Sequence, residues 1–148
     1  MEKIHVNGKC FIDNYNRERI FNGINMVYKG NYDESSGKKN YITDWNENHF
    51  KWLVDNGFNI IRLGIIWDGV EHEMGIYDEK YLDWIGGILD LCEQYDIYAF
   101  LDMHQDLYSN KFSDGAPDWA TITDNQEHVK GDLWSDAYIF SGAVKRSF

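Results

Sequence analysis

"FNIIRLGIIW" (58–67) is a nearly unbroken apolar run rich in β-branched residues, with one arginine at its centre. Such a run reads as a strand covered on both faces, the mark of a parallel sheet. Helical patterns flank it. Upstream, "ENHFKWLVDNG" sets Phe50, Leu53 and Val54 on one face, with Asp44 as N-cap, Glu47 as its capping partner and Gly57 as the stop. Downstream, Tyr81, Leu82, Ile85, Ile88, Leu89 and Cys92 keep the 3.6-residue period over about 79–95. Gly86 and Gly87 fall inside that helix, each costing about 1 kcal/mol against Ala, and close packing on a neighbour is one reason to look for.

Working outward, "RIFNGINMV" (19–27) reads as a strand before this unit and "IYAFLDM" (97–103) as one after it. Residues 1–18 form an edge segment with a short hairpin in "HVNGKCFID". Residues 29–43 read as a loop. A long irregular segment over 104–131 holds Pro117, and a last helix is expected from Ser135. Strand–helix alternation implies a parallel sheet with right-handed crossovers. An open doubly wound sheet and a (β/α)8 barrel both satisfy it. No G-x-G-x-x-G follows a strand, which removes the dinucleotide fingerprint. Polar and aromatic groups follow every strand, which suits a barrel whose site lies at the strands' C-terminal ends. A full barrel takes about 250 residues. The expected fold class is therefore α/β, the N-terminal portion of a (β/α)8 barrel with about three strands, incomplete in this chain of 148 residues.

The formal net charge of -11, from 25 acidic and 14 basic residues, argues against a nucleic-acid partner. No basic run marks a membrane surface, and no stretch approaches the roughly 18 apolar residues of a span. Two cysteines, Cys10 and Cys92, are too few for a disulfide framework or a zinc ribbon. No signal peptide is visible, so a cytoplasmic location is the expectation.

"IYAFLDMHQDLYS" (97–109) then raises a physical problem: it ends a core strand with Asp102, His104 and Asp106 on alternate positions. Buried charges cost several kcal/mol unless paired. Side chains alternate along a strand, so Arg62 shares a face with Gly64 while Ile61, Leu63 and Ile65 point the other way. Asn25 and Lys29 lie at and after the end of the first strand. Arg62 has two readings: an ion pair with a core carboxylate, for which Asp102 is the candidate, or a cation that keeps an active-site carboxylate ionised. Asp-x-His-x-Asp also has the chemistry of a metal site. However, His5, His49, His72 and His128 stand at no spacing that would complete one, and no metal or cofactor is expected.

"RLGIIWDGVEHEMGIYDEKYLD" (62–83) with "LDMHQDLYSNKFSDGAPDWA" (101–120) resembles glycoside hydrolase family 5, and most closely its endoglycoceramidase-like branch; "FNGINMVYKG" (21–30) is similar to that family's first strand. The resemblance runs from about residue 11 to residue 148. It implies a barrel that cleaves β-glycosidic bonds with retention, acting on a β-linked sugar or glycolipid. Residues 1–148 would then form the N-terminal part of the catalytic domain, with 19–148 supplying three βα units. Carried over, His104 and Asp106 would bind sugar hydroxyls, Lys29 would contact the same sugar, Arg62 would support the nucleophile and Trp119 would shape the cleft wall, with core packing as its other reading.

The family's acid/base Glu follows strand four in an Asn-Glu motif and its nucleophile Glu ends strand seven; neither has a counterpart here. Asn46-Glu47, Glu71 and Glu73 are misplaced for those roles. The chain alone is therefore expected to be inactive, with a second chain or a C-terminal extension completing the barrel. A metal-dependent barrel hydrolase, a non-catalytic carbohydrate-binding remnant and a gene fragment are the alternatives.

Overall fold

The computed structural model describes residues 1–35 and 37–148. Three strands, β3 (Gly23–Met26), β6 (Ile60–Ile66) and β7 (Tyr98–His104), form a parallel sheet in the order β3-β6-β7. The βαβ alternation read from the sequence is thus present. Among the described residues the sheet is open at both edges, because β3 and β7 each pair only with β6. The first strand is shorter than the 19–27 expected.

Helices α1 (Glu47–Asp55) and α3 (Glu79–Gln94) cover one face of the sheet. Phe50 and Leu53 of α1 meet Tyr81, Ile85, Ile88 and Cys92 of α3 over Ile61 and Leu63 of β6 in one buried cluster. Burial pushes the Cys92 thiol up to about 11, so it stays a neutral core group. Three helical details differ from the sequence reading. The α1 cap is Asn46, whose side chain accepts from Asn48 N while His49 Nδ1 accepts from Asn46 N. Val54 is 42% exposed, because it falls off the apolar stripe. Gly86 and Gly87 pack on nothing: a Cβ built at either meets no atom within 4 Å, so close approach does not account for them.

Two further elements escape the periodicity rules. The expected loop 29–43 contains a polar hairpin, β4 (Asn31–Asp33) with β5 (Lys38–Asn40), and "WDGV" directly after β6 is a short helix, α2 (Trp67–Val70). The helix expected from Ser135 is divided. A 3-10 turn, Trp134–Asp136, runs into α4 (Ala137–Phe140), and α5 (Gly142–Ser147) restarts after Ser141. The Ser141 hydroxyl causes the break by accepting from Val144 N at 3.3 Å, the role of an N-cap. No helix among the described residues is long and apolar enough to cross a membrane.

The N-terminal hairpin, β1 (Ile4–Asn7) and β2 (Cys10–Asp13), sits against the N-terminal end of the sheet. There Phe11, Phe21 and Tyr98 stack edge to face, and Tyr98 donates to Glu2 O at 2.8 Å. Asp13, fully buried, anchors the turn that follows, accepting from Tyr15 N, Arg17 N and Arg17 Nε. Burial alone would push its carboxyl up; the amides of Arg17 and Tyr15 and the Arg17 guanidinium outweigh it and hold it down to about 2. A lowered carboxylate stabilises the fold above the ordinary carboxylate range and loses that contribution as pH falls through about 2. Asp13→Asn is expected to speed hydrogen exchange at the Tyr15 and Arg17 amides by about tenfold at neutral pH, and the difference from wild type should vanish in acid.

Candidate functional site

The site forms because β6 and β7 run in register, from Ile60 opposite Tyr98 to Ile66 opposite His104, while β3 places Asn25 beside Arg62. With Ile61 and Leu63 turned to the helices, the alternation puts Arg62, Asp102 and His104 on the opposite face. Arg62 Nη2 lies 2.5 Å from Asp102 Oδ2. His104 Nδ1 is 3.0 Å from that same oxygen and 3.4 Å from Arg62 Nη2. An ionised carboxylate only accepts, so the bond between His104 Nδ1 and Asp102 takes its proton from Nδ1, which leaves Nε2 as the free end of the ring. Nε2 is buried without a hydrogen-bond partner, 3.8 Å from Asp106 Oδ2 and 3.7 Å from Asp114 Oδ1.

Just beyond β7 the backbone turns through two consecutive left-handed residues, Leu107 at φ 55° and Tyr108 at φ 76°. Bulky residues adopt this region only when their surroundings hold them there. Leu107 is buried with Ala137 and Val144, and its N–H donates to Tyr138 Oη at 2.8 Å. The returning strand crosses so close that a Cβ at Gly115, itself at φ 125°, would collide with Tyr108 O and Gln105 Cβ. This crossing brings Asp114 opposite Asp106, whose N–H lies 3.1 Å from Asp114 O and 3.0 Å from Asp114 Oδ1. Gly115 O in turn accepts from Asp68 N at 2.8 Å, tying the loop to α2. The buried Asp68 carboxylate is held by Tyr41 Oη at 2.6 Å and His72 Nδ1 at 2.9 Å. Burial and the Asp68 charge together push the Tyr41 phenol far up, so it remains a donor.

Lys29, from the loop after β3, completes the arrangement. Its Nζ pairs with Asp106 Oδ2 and lies 3.2 Å from Asp114 Oδ2. Burial pulls the ammonium's proton affinity down, and the bonds to Asp106 and Asp114 more than restore it, leaving it raised. Three carboxylates, Asp102, Asp106 and Asp114, thus face two cations, Arg62 and Lys29. The group is half open: side-chain exposure falls from 49% at Lys29 and 35% at Arg62, through 20% at Asp102 and Asp106, to 11% at His104 and 1% at Asp114.

Of the residues singled out from sequence, Lys29, Arg62, His104 and Asp106 come together, with Asp102 as the direct partner of Arg62. Trp119 is tied elsewhere: its indole meets Trp67 edge to face at 5.5 Å and donates to Glu71 O at 3.1 Å. Each misplaced glutamate is held outside the cluster, Glu47 by Gln94 and Tyr95, Glu71 by Trp67 and Gly75, and Glu73 by Lys38. Asp114 was missed, because it sits in an irregular segment where neither period applies. The nearest signal was its place directly before "GAPDWA".

His104, Asp106 and Asp114 do offer ligand atoms within 4.8 Å of one another, the geometry of a cation site. Lys29 already supplies that cation from within the chain, which weighs against a metal. Beneath Arg62 the inner face opens into a cavity of about 260 Å³ lined by Asn25, Ile60, Arg62 and Phe100. A larger apolar cavity, about 520 Å³, lies at the β3 edge among Met26, Trp45, Trp52 and Leu53, away from the charged cluster. The two cavities differ in chemistry: the smaller lies against Arg62 of the charged cluster, whereas the larger has none of the cluster's charged groups.

Comparison with known proteins points the same way. The profile described as "Cellulase (glycosyl hydrolase family 5)" matches residues 14–137. An endoglycoceramidase of Cyanea nozakii is 41% identical over 118 residues, covering 79% of this chain and 24% of that protein. A glucosylceramidase of Aspergillus fumigatus is 31% identical over 137 residues, covering 79% of this chain and 18% of that protein. Among solved structures, endo-glycoceramidase II from Rhodococcus sp., in an iminocyclitol complex, superposes with a TM-score of 0.76 at 28% identity, covering 92% of this chain and 31% of that one. The chain therefore spans at most about a third of the length of these relatives.

Proposed function

The chain belongs to glycosyl hydrolase family 5, and from that premise we propose that it supplies the N-terminal, sugar-holding part of a retaining β-glycosidase. The family and the relatives above support glycoside hydrolysis as the activity class. A glycosylceramide or related β-glucoside is the substrate this reading assigns, since the relatives carry the names endoglycoceramidase and glucosylceramidase.

One observation carries the reading: Lys29, His104 and Asp106, from two different strand ends, meet in a half-open cluster above Arg62. Asp106 would accept from a sugar hydroxyl and Lys29 would donate to a neighbouring one, and His104, whose Nε2 is shielded without ligand, would reach a third once the sugar parts the cluster. Trp119 would form part of the cleft wall. Arg62, at mid-strand, would lie under the nucleophile and favour its ionised form. The two catalytic glutamates would come from strands four and seven of the completed barrel, about 5–5.5 Å apart. One would attack the anomeric carbon while the other protonates the departing oxygen; water would then release the sugar, with the second residue acting as base.

Titration of the chain with methyl β-D-glucoside tests the binding role. The expected result is saturable binding that Asp106→Asn weakens about tenfold, the scale of a hydrogen bond to a charged group. Equal affinity in both proteins would remove Asp106 from the site.

A further inference from the structure

Lys29 has two carboxylate partners, and they are not equivalent. Asp106 is partly open, with its side chain 20% exposed, whereas Asp114 is closed at 1%. An arriving hydroxyl can reach Asp106 and cannot reach Asp114. A ligand that hydrogen-bonds Asp106 must therefore compete with the ammonium for the same carboxylate, and Lys29 would swing into solvent if that were its sole anchor. We propose that Asp114 is a positioning residue: the fixed partner that keeps Lys29 in place, and Asp106 aimed, when Asp106 turns from the ammonium to a ligand hydroxyl. The ligand's identity rests on the carbohydrate reading above; the pairing itself does not.

The geometry gives Asp114 both tasks at once. Its Oδ2 faces Lys29 Nζ at 3.2 Å, while its Oδ1 accepts from the Asp106 backbone N–H at 3.0 Å. One carboxylate thus fixes the donor through charge and the acceptor through its main chain. Neighbours hold Asp114 in turn. Ser113 Oγ lies 3.4 Å from its Oδ2, and Lys39 Nζ binds Ser113 O at 2.9 Å, joining this loop to the hairpin β4–β5. His104 Nε2, 3.7 Å from Asp114 Oδ1, also faces it, and the Tyr41 phenol lies near enough to feel its charge. Contacts of this kind outlast ligand entry because none of them uses the exposed edge of the cluster.

The test follows the Lys29 side chain by NMR in lysine-labelled protein across a pH titration. Wild type, Asp114→Asn and Asp106→Asn are compared with and without saturating methyl β-D-glucoside. Asp114→Asn is expected to lower the Lys29 midpoint by about one pH unit without ligand, the effect of losing an opposite charge at this range, and to weaken glucoside binding about tenfold. In wild type, saturating glucoside should leave the Lys29 midpoint elevated. An unchanged midpoint in Asp114→Asn overturns the proposal, as does a midpoint at the free-lysine value in Asp106→Asn alone. Should Asp114→Asn fail to fold, wild type carries the decision: a midpoint that drops to the free-lysine value on saturation shows Asp106 to be the sole anchor. A chain that binds no glucoside, while Asp114→Asn still lowers the midpoint, rejects the carbohydrate reading and keeps the pairing.

Discussion

Incubated with an aryl β-glucoside, the 148-residue chain by itself is expected to release no aryl alcohol above background, and turnover is expected only when strands that complete a barrel are joined to it. Retaining hydrolysis needs two carboxyls about 5–5.5 Å apart, one protonated and one free to attack. The cluster offers nothing of the kind: Asp102 is committed to Arg62, and Asp106 and Asp114 to Lys29. Among the described residues the sheet is also unpaired at both edges. On β7, Phe100, Leu101 and Met103 are 59%, 50% and 65% exposed, the condition of a strand awaiting a neighbour. Enzymatic accelerations of about 10⁶-fold and more rest on groups that this surface does not assemble. The assay runs the chain alone beside the chain fused to the remaining strands of the Cyanea nozakii relative. Turnover by the short form refutes the expectation.

Arg62→Met is expected to cost about 2–3 kcal/mol of stability. Removing one partner of a buried ion pair costs roughly 3–5 kcal/mol because the other charge is left without compensation. Here the guanidinium is 35% exposed and Asp102 20% exposed, so water recovers part of that loss. Methionine keeps most of the aliphatic length, which isolates the charge from the packing. Arg62→Lys should recover only part of the loss, because an ammonium cannot reproduce the planar contact with Asp102 Oδ2 and the neighbouring imidazole. Urea unfolding of the three proteins checks this. Equal midpoints would mean that the Arg62–Asp102 contact carries no net stability, and that Asp102 is held by His104 alone.

How far the sequence led can be followed residue by residue. Helix α3 and strand β6 were legible because their burial imposes a period: Ile85, Ile88 and Cys92 on one, the unbroken apolar run around Arg62 on the other. Strand alternation put Asp102 and His104 on one face of their strand and Arg62 opposite Ile61 and Leu63; that the three share a face depends on the β6–β7 register. Segments without a buried stripe were not legible. Asn31–Asp33 and Lys38–Asn40 pair through backbone bonds with polar side chains outward, and the break at Ser141 depends on one hydroxyl. Asp114 was hidden for a related reason. Its place opposite Asp106 depends on the left-handed turn at Leu107 and Tyr108 and on the close crossing at Gly115, conformations that leave no periodic trace in sequence. Trp119 shows the converse: an aromatic in a recognisable motif whose contacts, Trp67 and the Glu71 carbonyl, were not foreseen.

NMR mapping with methyl β-D-glucoside locates the sugar on the fold. In protein labelled at its lysine and histidine side chains and its backbone amides, ligand-dependent shifts are expected at Lys29, His104 and the Asp106 amide. The Trp45 and Trp52 signals of the larger cavity should stay unmoved. Shifts confined to that cavity, or none at Lys29, His104 and Asp106, would contradict a sugar site at the cluster.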